Sequence, residues 1–282
     1  MDAPEETVQL VITESECLTQ YLTTLPPEAW SKPSACDRWE VRDVVAHLAG
    51  QAGNYAAWIA RSLQGDASTP EGLPAAGSAT AASFAEAAAQ RVIARREQLG
   101  DQLLSVFITT NAQLNHLLAS LGPEDWEKPH YTALGSAPLR HYPADRLLEL
   151  VVHGWDIRSR LEPDAHLHLS DASVPVLVEV TLGRVLRWRF HPGPRLPTPI
   201  RYRVALTGAG ATEHDMVVTG DQASVEPGGT AVADVLLRCD PGTFVLFMLG
   251  RLSLSDALAQ HRLVAEGVRE QVSAFAQWFQ GA

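Results

Sequence analysis

Glutamate and histidine stand four residues apart in the segment LLELVVHGWDI, residues 147–157. In a helix this spacing places Glu149 and His153 on one face, close enough to share a ligand. A second histidine, His47, lies among apolar residues in the segment VVAHLAG, residues 44–50. Two imidazoles and one carboxylate are a donor set for a divalent transition metal. Three protein ligands leave one coordination position open, as catalytic zinc sites do.

Each of these residues also has an ordinary structural interpretation. His47 alone is typical of a hydrogen-bonded core histidine, and a Glu–His pair at this spacing is typical of a solvated helix surface. The apolar neighbours Val151 and Val152 argue against a solvated position for His153. The metal hypothesis therefore requires that the helices containing His47 and His153 pack side by side.

An internal repeat supports this juxtaposition. TLPPEAWSKP at 24–33 and SLGPEDWEKP at 120–129 share the pattern L-x-P-E-x-W-x-K-P, with an offset of 96 residues. Each copy follows a predicted helix and leads into another, so two related helix pairs would place their second helices in equivalent positions. The repeat's tryptophan precedes His47 by 17 residues and His153 by 27. A coincidence of residues that end helices is the alternative.

Apolar residues at helical spacing predict four helices in the first half of the chain. The stretch between 65 and 80 is rich in small residues, Pro and Gly, and is predicted to be a loop. Four helices in this order are typical of a four-helix bundle. The predicted helices are 5–24, about 40–64 with Asp37 as N-cap, 81–121 with a possible interruption near Gly100, and 142–161 with Pro143 in its first turn.

The second half changes character after a linker around 161–171. Partial alternation of apolar and polar residues there predicts half-buried strands between helical segments, which indicates an α+β domain. We therefore divide the chain into domains 1–163 and 164–282. The predicted elements are a helix at 173–188, strands at 200–208, 214–220 and 233–239, and helices at 243–250, 253–259 and 266–279.

Composition excludes several classes of partner. The net charge of −11 and the lack of a Lys/Arg cluster argue against nucleic acid. The most apolar run, TFVLFMLG, is too short to span a membrane, and the N-terminal segment lacks the features of a secretion signal. The scattered cysteines Cys17, Cys36 and Cys239 suggest a reducing cytoplasm. We expect a cytoplasmic monomer or homodimer that binds small molecules.

Two motifs carry a family resemblance. W-x-V-R-D-V-V-A-H-L-A-G at 39–50 and E-L-V-V-H-G-W-D-I at 149–157 resemble the N-terminal domain of the mycothiol-dependent maleylpyruvate isomerase family, a DinB-like metal-binding four-helix bundle. The strand-containing half is similar to the sterol-carrier-type C-terminal domain of many members. The resemblance implies an α+β fold with a bundle followed by a smaller sterol-carrier-like domain. It also implies that His47, Glu149 and His153 bind a divalent metal, with zinc as the default.

The resemblance further implies the reaction. A low-molecular-weight thiol, mycothiol or an analogue, would be the co-substrate. Its thiolate would add to a cis double bond of a maleylpyruvate-like substrate, and elimination after rotation would give the trans isomer. Two alternatives stay open: a thiol S-transferase that conjugates the thiol to an electrophile, and a non-catalytic module that binds an apolar ligand.

Further candidates surround the predicted centre. Asp156, three residues after His153, could accept a hydrogen bond from that imidazole and is assigned a catalytic role, although a surface pair with Arg160 is equally plausible. Asn54, two turns after His47, could line a cofactor pocket or be an exposed polar residue. Cys36 is set aside as a nucleophile because no base lies at a suitable spacing.

Arginines of the second domain could clamp a substrate carboxylate or be surface cations. Arg251 is assigned a catalytic role and Arg238 a cofactor-binding role. Spare histidine ligands are His116, His130 and His141.

Overall fold

Helices make up most of the first half of the chain, and a five-stranded sheet organises the second. The computed structural model describes residues 4–36, 38–73, 75, 81–132, 135–163, 167–208, 210–229 and 231–279, with the backbone alone for 81–88. The chain divides into two units, Met1–Leu167 and His168–Ala282.

Five helices form the first unit, among the described residues. Helices α1 and α2 each pack against both α4 and α5, so these four helices contact one another in a closed ring, and α3 packs against α2. Burial of one apolar face on each helix drives this packing, because full burial of a large apolar side chain contributes about 1.5–3 kcal/mol to stability. The helices are α1 (Pro4–Thr24), α2 (Val41–Leu63), α3 (Ala81–Leu99), α4 (Leu103–Ala119) and α5 (Tyr142–Leu161).

The predicted helix over 81–121 is interrupted where the sequence suggested. Gly100 has a φ of 47°, a conformation that favours glycine, and a short 3₁₀ turn at Gly100–Gln102 separates α3 from α4. The interruption matters because the two helices then have different partners. Helix α4 packs against α1 and α2 as one of the four helices of the ring. Helix α3 packs against α2 outside the ring and forms a cavity wall there.

The start of α2 differs from the prediction in its capping residue. Asp37, the predicted N-cap, lies outside the described residues, and the residue that precedes the helix is Glu40. Asp43 accepts a hydrogen bond from the backbone N–H of Glu40 at 2.9 Å and pairs with Arg96 of α3 at 3.0 Å. This carboxylate is buried, so it caps α2 and ties α3 to it.

The second copy of the repeat leads into a hairpin that the sequence analysis missed. Each copy contains a short 3₁₀ turn, Pro27–Ser31 and Asp125–Glu127, but the second turn is followed by strands β1 (Pro129–Thr132) and β2 (Gly135–Pro138), paired antiparallel. The expectation that both copies lead directly into a helix is wrong for the second. The hairpin accounts for only part of the longer spacing before His153, because α5 begins 16 residues after Trp126 whereas α2 begins 11 residues after Trp30.

A five-stranded sheet in the order β5-β4-β3-β6-β7 forms the centre of the second unit. All neighbours are antiparallel except β3 and β6. The three predicted strands are confirmed, whereas β5 and β7 were missed, and the predicted helix at 266–279 begins only at Arg269. The elements are α6 (Val174–Val180), a π-helical turn (Thr181–Val185), α7 (Leu186–Arg189), β3 (Ile200–Leu206), β4 (Thr212–Val218), β5 (Ala223–Pro227), β6 (Val235–Cys239), α8 (Pro241–Met248), α9 (Leu254–Ala259), β7 (Leu263–Gly267) and α10 (Arg269–Trp278).

Sequence alternation explains which strands were found. Every second side chain of β3 is buried, beginning with Tyr202, and these side chains pack with Phe244, Phe247 and Phe275 into the core of this unit. The edge strands β5 and β7 are mostly exposed and show no such alternation. None of the described helices is both long and apolar enough to cross a membrane.

Candidate metal centre

Three side chains from two helices converge at one carboxylate oxygen. His47 Nε2 of α2 lies 2.8 Å from Glu149 Oε2 of α5, and His153 Nε2 lies 3.2 Å from the same oxygen. One ligand atom from each of the three residues falls within 4.8 Å of the others. The structure therefore brings together the three residues that sequence analysis assigned to a metal.

Helix packing produces this convergence. α2 and α5 are in contact, and the four-residue spacing along α5 puts Glu149 and His153 on the face turned toward α2. The apolar residues Leu147, Leu150 and Ile157 of α5 are buried. The side chains of His47 and Glu149 retain 20% and 29% of their exposure. The centre is thus fixed by buried helix contacts but open on one side.

Asp156 orients one of the imidazoles. Its Oδ2 lies 2.8 Å from His153 Nδ1, and the aspartate side chain is fully buried. An ionised carboxylate can only accept, so Nδ1 carries the hydrogen and Nε2 faces Glu149. The backbone carbonyl of Asp156 also accepts a hydrogen bond from the N–H of Ala35 at 2.8 Å. Orientation of a ligand histidine by such a carboxylate is a common feature of metal sites.

An indole ring that the sequence analysis missed lies beside both histidines. The centroid of Trp39 is 5.1 Å from that of His47 and 6.0 Å from that of His153, and the two imidazoles meet edge to face at 4.9 Å. Trp39 precedes α2 and stands in the same motif as His47. Its position beside both rings restricts their rotation and keeps water from that side of the centre.

Electrostatics keep the shared carboxylate ionised. Burial lowers the pKa of His47 below its usual value, although the contact with Glu149 opposes this. Burial by itself would raise the pKa of Glu149, but hydrogen bonds and charge from His153 and His47 outweigh it and hold that pKa well below its usual range. Burial likewise opposes protonation of His153, yet Asp156 and Glu149 raise its pKa to about 9. Without a metal, a positive charge therefore resides on His153.

A cavity of about 280 Å³ adjoins the open side of the centre. Helix α2 supplies one wall, α3 a second, and the β1–β2 hairpin with the start of α5 a third. The hairpin is attached to α2 because the Ser62 hydroxyl donates to the carbonyl of Pro129 at 2.7 Å. The residues that line the cavity include His47, Gly50, Gln51, Asn54, Tyr55, Trp58, Arg91, Val92, Arg95, His130, Tyr131, Tyr142, Asp145 and Glu149.

The other predicted site residues lie in different places. Asn54 lines the cavity. Arg238 and Arg251 belong to the second unit, where Arg238 lies 3.8 Å from Glu266 and Arg251 donates to a backbone carbonyl in its own turn. Of the spare histidines, His130 lines the cavity, whereas His116 is exposed on α4 and His141 immediately precedes α5.

Cys36 lies nearer to the centre than its sequence neighbours indicate. Its sulfur, a ring nitrogen of His153 and an oxygen of Asp156 fall within 4.8 Å of one another. Sequence spacing did not indicate this proximity, because the imidazole arrives from α5, more than a hundred residues later in the chain.

Several cavity residues escaped the sequence analysis, although a signal for some was present. Gln51, Tyr55 and Trp58 follow His47 at helical spacing and so share its side of α2. Arg91 and Arg95 are four apart on α3, which places both on one face. No signal in the sequence connected α3 or the hairpin to this side of α2.

Known proteins resemble this chain in sequence profile and in fold. The sequence profile of the mycothiol maleylpyruvate isomerase N-terminal domain matches residues 13–158. The crystal structure of the mycothiol-dependent maleylpyruvate isomerase matches with a TM-score of 0.61 at 14% identity, over 88% of this chain and 90% of that one. A histidine-to-alanine mutant of it matches with a TM-score of 0.64 at 14% identity, over 94% and 93%.

A sterol carrier protein matches a smaller part of the chain. Sterol Carrier Protein 2 Like 2 from Aedes aegypti is 20% identical over 37% of this chain and 97% of that one, with a TM-score of 0.31. Among curated proteins, none matches the sequence significantly. The likeness to the solved isomerases shows the fold, and the profile match covers more than half of the 282 residues. The chain belongs to the mycothiol maleylpyruvate isomerase family.

Proposed function

We propose that this protein is a metal-dependent enzyme that uses a low-molecular-weight thiol, mycothiol or an analogue, to convert a maleylpyruvate-like cis substrate into its trans isomer. The observation that carries the proposal is the convergence of His47, Glu149 and His153 within 4.8 Å beside a cavity large enough for a small substrate. The solved structures that share the fold bear the name of a mycothiol-dependent maleylpyruvate isomerase, which suggests the thiol and the substrate class.

The three residues fit a divalent metal. With its hydrogen on Nδ1, a neutral His153 presents a lone pair from Nε2 to a carboxylate oxygen 3.2 Å away. Two acceptors at this distance repel each other unless a cation lies with them. A proton on His153 is one such cation, and a metal ion held by all three residues is the other. Zinc is the default for two imidazoles and one carboxylate with an open position.

The isomerisation needs only a thiolate and a conjugated carbonyl. A metal held by His47, Glu149 and His153 would supply Lewis acidity, which lowers the pKa of a thiol. The thiolate adds to one carbon of the cis double bond, and the π electrons move into the conjugated carbonyl as an enolate. The former double bond is now a single bond and rotates. When the carbonyl re-forms, the carbon–sulfur bond breaks, and the thiolate leaves the trans product.

The residues of this chain have separate tasks in that sequence. Asp156 holds His153 in the tautomer that leaves Nε2 available for ligation. The ring of Trp39 covers one side of the His47 and His153 imidazoles. On the cavity side, the rings of Trp58 and Tyr131 meet edge to face at 5.9 Å and provide an apolar wall. Such a wall excludes water, which would otherwise compete for the thiolate and protonate the enolate before elimination.

Metal analysis and a thiol-dependent assay test the proposal together. Purified protein should contain one divalent ion per chain, and metal-loaded protein should isomerise maleylpyruvate only when mycothiol or an analogue is present. His47→Ala and Glu149→Gln should each lose the ion and at least about 100-fold in turnover. His116→Ala, an exposed histidine on α4, is the matched control and should retain both. Turnover without any thiol, or an unchanged metal content in both ligand variants, would contradict the proposal.

S-transfer is the second candidate because it shares the first bond-forming step. If the thiol remained attached to the electrophile, the product mass would increase by that of the thiol. Isomerisation leaves the mass of the substrate unchanged and consumes no thiol. Mass spectrometry of the products therefore separates the two reactions.

A further inference from the structure

We propose that Arg95, assisted by Arg91 and the hydroxyl of Tyr142, forms a subsite that holds a carboxylate of the electrophilic substrate beside the His47–Glu149–His153 centre. The inference deepens the proposed function and rests on it for the identity of the substrate. It assigns the carboxylate clamp, which the sequence analysis gave to Arg238 and Arg251, to helix α3 of the first unit.

The absence of a side chain at Gly50 lets Arg95 lie against α2. A β-carbon placed on Gly50 would come within 1.9 Å of Arg95 Nη1 and 2.5 Å of its Cζ. The guanidinium therefore rests directly on the helix backbone, one turn after His47. Both Gly50 and Arg95 line the cavity. This position fixes a planar, permanently charged donor group close to the candidate metal ligands.

The charge of Arg95 is available to a ligand. Within the part of the chain that the structure describes, no carboxylate lies within ion-pair distance of Arg95 or Arg91. The next residue, Arg96, shows the contrast because its guanidinium is 3.0 Å from the buried Asp43. The three arginines of this helix thus divide into one that attaches α3 to α2 and two that face the cavity.

Tyr142 adds a buried donor to the same cavity. The residue is 3% exposed, and its hydroxyl has no hydrogen-bond partner among the described residues. Its ring is held between those of Tyr55 at 4.5 Å and His130 at 4.0 Å. A buried hydroxyl without a partner is costly, and a bound ligand with an acceptor oxygen removes that cost.

The charge balance of the lining would favour an anion once a divalent metal is bound. Arg91 and Arg95 oppose Asp145 and Glu149, so these four side chains sum to zero. A divalent metal on Glu149 and the histidines would turn the balance positive by two charges. Such a cavity attracts an electrophile with carboxylates and discriminates against a neutral one of the same shape. An arginine can also engage a carboxylate through two parallel hydrogen bonds, which orients the double bond relative to the thiol.

Binding of maleate tests the subsite without turnover. Isothermal titration of maleate into metal-loaded and chelator-treated protein should show saturable binding in both. Arg95→Met should weaken that binding at least about tenfold, and Tyr142→Phe, which keeps the ring, should weaken it about threefold. Gly50→Ala should also weaken binding because its methyl group displaces the guanidinium from its position on α2. Arg160→Met, an exposed arginine of α5, removes the same charge outside the cavity and should bind like wild type.

Neutral dimethyl maleate is the ligand control and should bind wild type and Arg95→Met alike. The subsite is refuted if maleate shows no saturable binding to wild type, or if Arg95→Met and Gly50→Ala bind it as wild type does. It is also refuted if Arg160→Met weakens binding as much as Arg95→Met, since the effect would then be one of net charge.

Steady-state kinetics separate this inference from the proposed function. In Arg95→Met the KM for the carboxylated substrate should rise at least about tenfold while the KM for the thiol stays unchanged. If thiol-dependent turnover is absent but maleate binding depends on Arg95, the subsite stands and the proposed isomerase function fails. If turnover is present and neither constant changes in Arg95→Met, the isomerase function stands and the subsite fails.

Discussion

His153 Nδ1 lies 2.8 Å from Asp156 Oδ2, one helical turn farther along α5, and the aspartate is fully buried. This single contact decides which nitrogen of the imidazole faces Glu149. It also places a second carboxylate next to the candidate metal centre without making it one of the three ligands. The spacing of Asp156 from His153 predicted this partner. A substitution of Asp156 measures what the contact contributes to metal binding.

Asp156→Asn should lower metal affinity about 10- to 100-fold, because an amide can hold either tautomer of His153 and no longer strengthens the ligand. Competition titration with a chromophoric zinc chelator measures the effect. Asp101→Asn, at an exposed position in the same unit, is the control. Unchanged affinity in a folded Asp156→Asn protein would show that the aspartate serves stability alone.

Metal affinity should depend steeply on pH. The metal-free protein holds a proton on His153, whose pKa is raised to about 9, and that proton must leave before Nε2 can bind an ion. Apparent affinity should therefore rise about tenfold per pH unit between pH 7 and the pKa of His153, and level off above it. Calorimetry in buffers with different ionisation enthalpies should show release of about one proton per ion. No proton release at pH 7 would contradict the assignment of the charge to His153.

The same proton stabilises the metal-free fold. The pKa of His153 is higher in the folded protein than its usual 6.5, so its contribution is fully present below pH 6.5 and is lost as the pH rises to about 9. The Tm of chelator-treated protein should fall across this interval, and His153→Gln should remove that slope. A Tm that rises from pH 6.5 to 9 would be the opposite of the expected result.

Trp39 should report metal binding by fluorescence. Its ring lies 5.1 Å from that of His47, so binding of paramagnetic Co²⁺ at the centre should quench its emission. Trp39→Phe should remove most of the quenching and weaken binding about threefold, because both imidazoles lose a packing surface. Trp188→Phe in the second unit is the control. If Trp188→Phe removed the quenching instead, the ion would not bind where we expect it.

Asp43→Asn should destabilise the first unit by about 1–3 kcal/mol. The buried carboxylate caps α2 and pairs with Arg96, so the change weakens both contacts and leaves a partly buried cation. Urea unfolding measures the loss. Glu97→Gln removes an exposed partner of the same arginine at 3.5 Å and should change stability by less than about 0.5 kcal/mol. Equal effects would mean that burial of Asp43 has no influence.

Local pattern was sufficient to predict three helices and to group His47, Glu149 and His153 as candidate ligands. Periodic apolar residues predicted α1, α2 and α5, because each of these helices buries one continuous face. The four-residue spacing of Glu149 and His153, with a related motif around His47, indicated a shared ligand. These features depend on contacts within one helix turn or on a repeated motif, which are visible in the order of residues.

Only the tertiary structure decided which residues lie around the His47–Glu149–His153 centre. Arg95 reaches the cavity because α3 packs on α2 at Gly50, and Tyr131 reaches it because the β1–β2 hairpin is attached to the end of α2. Cys36 lies near His153 because the segment before α2 packs against α5. These neighbours come from segments with no shared periodicity. Their juxtaposition follows from how buried helix faces pack together, which is a property of the whole first unit and not of any one segment.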